Sequence, residues 1–87
     1  MNKRARRTLL AIFGIPTSPK VKWAEVNALL SSLGVAKREG SGSRVRFTRD
    51  GRVLGIHQPH PRPELKRYQV EAVREFIRLI GEAPEEQ

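Results

Sequence analysis

Eighty-seven residues, 38% of them hydrophobic and 6% aromatic, suffice for one small domain with a modest core but not for an enclosed substrate cavity. Seventeen Lys and Arg against nine Asp and Glu leave a formal net charge of +8, which favours a polyanionic partner: RNA, DNA or an acidic protein surface. Zero cysteines exclude disulfides and thiolate metal sites, and no apolar run approaches a membrane span or a secretory signal, so a cytoplasmic protein is expected.

KRARRTLLAIF at 3–13 predicts a short helix, with Leu9, Ile12 and Phe13 on one side and Arg4, Arg6 and Arg7 mostly outward. GIPTSPK at 14–20 holds a glycine and two prolines and reads as a loop. In VKWAEVNALLSSLG, Val26, Leu29, Leu30 and Leu33 form a second helical stripe that Gly34 stops. With Lys22 as N-cap, Glu25 falls at N3, and Val21 and Val26 take the staple positions. Trp23 is expected in the core or at a hinge.

From Val35 the period changes. A short strand is expected over 35–39, GSGS at 40–43 breaks the chain, and RVRFT alternates polar with apolar. Asp50-Gly51 is the favoured two-residue hairpin turn. It sets Arg49 opposite Arg52, Thr48 opposite Val53, Phe47 opposite Leu54, Arg46 opposite Gly55, Val45 opposite Ile56 and Arg44 opposite His57. Val45, Phe47, Leu54 and Ile56 then share one face. Prolines 59, 61 and 63 deny regular structure to the elbow that follows, and 65–81 predict a last helix with Val70, Val73, Ile77 and Ile80 inward. GEAPEEQ at the end is expected to fray. The fold class is α+β: a three-stranded antiparallel sheet with helices packed on one face.

The same register puts Arg44, Arg46 and His57 on the uncovered face. Two arginines and a histidine gathered there disfavour one another unless a phosphate lies between them. Gly55 opposite Arg46 lets a backbone approach closely. A neutral imidazole can take the proton of a ribose 2′-OH, and a neighbouring guanidinium can stabilise charge developing on phosphorus. His57 and Arg44 are therefore catalytic candidates. His60 is either the complementary acid or a residue that shapes the elbow. Arg44, Arg46, Lys20, Lys22 and Lys66 are the candidate RNA-binding residues. His57-x-x-His60 leaves a metal shell short of ligands, so no metal or other cofactor is expected. GSGS lacks the setting and the lysine of a phosphate loop, and no Ser-His-Asp set is credible with Asp50 in a turn.

VKWAEVNALLSSLG, EGSGSRVRF and IHQPHPRPELKRYQVEAVREFI resemble the HicA family of toxins from bacterial type II toxin–antitoxin systems, over about Val21 to Gly81. The resemblance is carried by the Gly-Ser-x start of the hairpin strand and by the PHP-x-PELK elbow. It implies a double-stranded-RNA-binding-domain-like fold over 21–81, preceded by an extra basic helix and loop over 1–20, and leaves 82–87, by composition, as an acidic tail. It further implies a metal-independent ribonuclease, an mRNA interferase, and a HicB-type antitoxin that covers the active face. Typical members carry the catalytic histidine directly after Gly-Ser, where this chain has Arg44 after Gly42-Ser43. That residue cannot be carried over, and the imidazole across the hairpin, His57, is the candidate to replace it. Two other expectations stand beside the toxin ribonuclease. One is a non-catalytic RNA-binding module on the same fold, and the other is a subunit that only engages an acidic antitoxin.

Overall fold

Residues 1–84 are described by the computed structural model, in the order helix, helix, three strands, helix. Helix α1 (Lys3–Ile12) is opened by Asn2, whose Oδ1 accepts from the Ala5 N–H at 2.7 Å. Its buried stripe is Ala5, Thr8, Leu9 and Ile12, the spacing that keeps one face of a helix inward.

Helices α2 (Trp23–Ser32) and α3 (Arg67–Leu79) start alike. Their N-caps, Lys22 and Lys66, carry side chains with no acceptor, so each cap is made from the other side. Glu25 Oε1 accepts from the Lys22 N–H and Gln69 Oε1 from the Lys66 N–H, each at 3.0 Å. They also end alike. Val35 N–H bonds to Leu30 C=O and Gly34 N–H to Ser31 C=O, and Glu82 and Gly81 repeat the pattern on Ile77 and Arg78. Both glycines take a positive φ, 75° and 78°, as this closure requires.

Strands β1 (Ala36–Glu39), β2 (Arg44–Arg49) and β3 (Arg52–His57) form one antiparallel sheet in the order β1-β2-β3. Asp50 and Gly51 take φ of 52° and 78°, which a two-residue hairpin turn of this type demands. The pairing runs from Arg49 opposite Arg52 to Arg44 opposite His57, the predicted register throughout. Val45, Phe47, Leu54 and Ile56 are buried on the side the helices cover. Trp23 packs on Phe47 with ring centroids 6.0 Å apart. The α+β architecture expected from the sequence is the one observed, and the run α2-β1-β2-β3-α3 is consistent with a double-stranded-RNA-binding-domain-like fold.

The last helix is shorter than the predicted 65–81. Residues 63–65 run extended beside 21–23, with Trp23 N–H on Pro63 C=O and Leu65 N–H on Val21 C=O, both at 2.8 Å. Backbone committed to that pairing cannot join a helix. Within the expected acidic tail, Glu82 is docked: its carboxylate meets Arg49 Nη1 at 2.8 Å. Glu85, Glu86 and Gln87 lie outside the described residues. Among the described residues no helix is long and apolar enough to cross a membrane.

Three arginines close the helical layer. Arg49 Nη1 also donates to Leu33 C=O at the end of α2, and its Nε pairs with Asp50 at 3.0 Å. The hydrogen bond it donates to Glu82, with both carboxylates nearby, holds this guanidinium still more firmly protonated than usual. Arg74 Nε donates to Ile12 C=O at 2.8 Å and its Nη2 to Thr17 Oγ1 at 3.1 Å, closing α1. Arg78 lies 5.5 Å from the Phe13 ring centroid and pairs with Glu75.

Candidate active site

The hairpin register leaves Arg44, Arg46, Gly55 and His57 on the face the helices do not cover, and all four are exposed. β1 adds to that face. Arg38 pairs with Arg46, so one row across the sheet reads Arg38, Arg46, Gly55. Among the described residues, these three arginine side chains have no carboxylate partner within salt-bridge distance. The nearest acid in the lining, Glu39, is paired with Lys37 at 3.4 Å. A Cβ built on Gly55 would meet nothing within 4 Å, so the glycine answers to no packing constraint inside the protein. The result is a shallow groove of about 450 Å³ with guanidinium groups along it and a low floor. Such a groove suits a phosphodiester chain.

His57 ends β3 at one margin of this groove, and three contacts hold it. Its Nδ1 lies 3.1 Å from Ser43 Oγ, its carbonyl accepts from Gln69 Nε2 at 2.9 Å, and the next residue, Gln58, donates its N–H to Ser43 C=O at 2.8 Å. In the tautomer protonated at Nδ1, that N–H donates to the serine hydroxyl and the Nε2 lone pair is free to accept a proton.

A second, larger cleft of about 1010 Å³ opens on the other side of His57. Its walls are residues 16–20, the elbow after β3 and the first turn of α3. Lys20, His57, His60 and Lys66 all line it. The two concavities share His57, so the predicted site residues fall into two groups that meet at that imidazole: Arg44 and Arg46 on the sheet, and Lys20, His60 and Lys66 in the cleft. Lys22 is not brought to either. Its backbone pairs with Glu64 and caps α2, and it lines neither concavity.

Four residues of this region were not singled out from the sequence: Arg38, Ser43, Gln69 and Tyr68. Ser43 belongs to the Gly-Ser-x start of β2, and extending the hairpin register one position places it beside the end of β3. Gln69 is 4% exposed; Val73, Phe76 and Ile77, at i+4, i+7 and i+8, put its position on the buried stripe of α3, but a polar amide there does not stand out as core. Among the described residues no group of three His, Cys, Asp or Glu is gathered closely enough to hold a metal ion.

A family model described as the HicA toxin of bacterial toxin–antitoxin matches residues 23–81, more than half of the 87-residue chain. Neither the curated proteins nor the solved structures compared gave a match.

Proposed function

Because the chain belongs to the HicA toxin family of bacterial toxin–antitoxin systems, we propose that it is a metal-independent endoribonuclease that cleaves mRNA in the cytoplasm and is held inactive by a HicB-type antitoxin. The single observation that carries this reading is the placement of His57. It stands opposite Arg44 on the open sheet face, with its Nδ1 against Ser43 and its Nε2 edge directed away from that contact.

In the proposed reaction the RNA backbone lies across Arg44 and Arg46. His57 Nε2 takes the proton of a ribose 2′-OH as that oxygen attacks the adjacent phosphorus. The Nδ1–H donates to Ser43 Oγ before and after the transfer, so the imidazolium is formed without loss of its anchor. Arg44 offsets the charge that develops on the non-bridging oxygens. The bond from phosphorus to O5′ breaks, O5′ receives a proton from His60 or from water, and the products are a 2′,3′-cyclic phosphate and a 5′-hydroxyl. Binding through guanidinium and phosphate carries no base preference of its own.

The alternative of RNA binding without cleavage draws on Arg44, which follows Gly42-Ser43 where a histidine would be expected. One experiment separates the two. A long transcript is incubated in excess EDTA with wild type, His57→Ala and His60→Ala, each verified as folded by circular dichroism. Cyclic-phosphate ends made by wild type and not by His57→Ala support the ribonuclease. Intact RNA in every lane, with binding retained, rejects it.

A further inference from the structure

We propose that the large cleft is a base-binding subsite for one unpaired nucleotide of the RNA, with the ring of Tyr68 as the surface on which the base stacks. This rests on the ribonuclease reading and adds a contact that the reaction above does not use. Tyr68 is the second residue of α3 and is 65% exposed, on a helix that buries Val70, Val73 and Ile77. It is the only exposed aromatic side chain among the described residues. Recognition of an unpaired strand uses an aromatic face for a base and cations for the phosphates on either side of it. The cleft holds both: Lys20, Arg62, Lys66 and Arg67 line it together with Tyr68, against one carboxylate, Glu64.

The walls suit a flat, rigid ligand. Pro16, Pro19, Pro59 and Pro61 contribute apolar rings that bring no N–H of their own, and their fixed φ means little order is lost on binding. A volume of about 1010 Å³ is at the upper end of pockets that enclose a small organic ligand, so a nucleotide with its flanking phosphates fits. The wall at residues 16–20 lies outside the matched stretch 23–81, so the subsite is built partly by a segment the family model does not describe. His57 borders both concavities, which makes the stacked base a near neighbour of the phosphate under attack. Every base has a π-face, so the subsite selects unpaired over paired RNA rather than one base over another.

The test is fluorescence anisotropy with a labelled 2′-O-methyl oligonucleotide, which lacks the attacking hydroxyl and stays intact. Tyr68→Ala is expected to bind about ten- to a hundredfold more weakly than wild type, the size of one lost base stack, and Tyr68→Phe to stay within about threefold. An abasic strand of the same length should bind wild type and Tyr68→Ala alike. Equal affinity of wild type and Tyr68→Ala for the base-bearing strand overturns the proposal. So does absence of binding by wild type, which would leave the cleft to a protein partner. Cleavage of ordinary RNA is scored separately. A Tyr68 effect on binding without cleavage keeps the subsite and removes the ribonuclease, whereas cleavage with no Tyr68 effect does the reverse.

Discussion

The arginines of the helical layer and those of the open sheet face have the same side chain and opposite circumstances. Arg49, Arg74 and Arg78 reach the C-terminal ends of helices, a carboxylate or an aromatic ring, where their charge answers partial charges of the protein itself. Arg38, Arg44 and Arg46 stand on one sheet face without a carboxylate within reach among the described residues. A net charge of +8 is therefore not one property. Part of it holds helices together, and part stands on an open face with no carboxylate partner among the described residues. Only the second part speaks about function.

The largest effect that would sharpen this contrast belongs to the residue at the margin of the open face. His57→Ala should lower cleavage by about 10²- to 10⁴-fold, the span of a lost general base, with little change in RNA affinity. Gel analysis of single-turnover cleavage beside filter binding reads both. Loss of affinity equal to loss of rate would mean that His57 only binds.

Next comes the triple substitution of Arg38, Arg44 and Arg46 to Ala. RNA affinity should fall on the order of tenfold or more, and the slope of log K against log salt should drop by about 0.7 for each phosphate contact removed. Thermal stability should hold or rise, because like charges have been taken apart. A melting temperature that falls instead would break the contrast, since those arginines would then be structural.

Arg74→Ala should do the opposite. It strips Ile12 C=O of a charge-assisted donor and should lower stability by about 1–3 kcal/mol. For a domain of this size that is a drop of roughly 4–8 °C in melting temperature per kcal/mol, readable by calorimetry. RNA affinity should stay unchanged; a parallel fall would show that the helical layer shares the RNA surface. The smallest effect belongs to Gly55→Ala. The added methyl enters open space, so stability should move by no more than about 0.5 kcal/mol. RNA affinity should fall several-fold only if a backbone comes down onto that floor, which isothermal titration can measure.

The hairpin was legible because two independent signals coincide in it. Asp50-Gly51 sets the register, and the alternation of Val45, Phe47, Leu54 and Ile56 selects the same one. Helix ends were legible at Gly34 and Gly81 for a similar reason, since the closure needs a residue at ease with positive φ. Arg38 was not legible. Ala36–Glu39 is exposed throughout and shows no alternation, and GSGS between the strands fixes no register. Long side chains hid the rest. Arg49 and Glu82 are far apart in sequence, as are Arg74 and Ile12, and composition cannot tell such reach from a solvated charge. The place of Lys22 was not legible either, because its backbone pairing with Glu64 is a tertiary contact.

Gln69 bonds at both ends of its amide: Nε2 to the carbonyl of His57, Oε1 to the amide of Lys66. A buried group held from two sides moves both or neither. The Lys66 amide proton should therefore exchange with solvent only when the Gln69 side chain lets go, and that same event removes one of the three contacts that hold His57. Its protection against deuterium would then act as a gauge of the seated His57, measurable without substrate. An antitoxin bound to this face should slow that exchange, and a variant that loosens the elbow should quicken it before any change appears in the global melt.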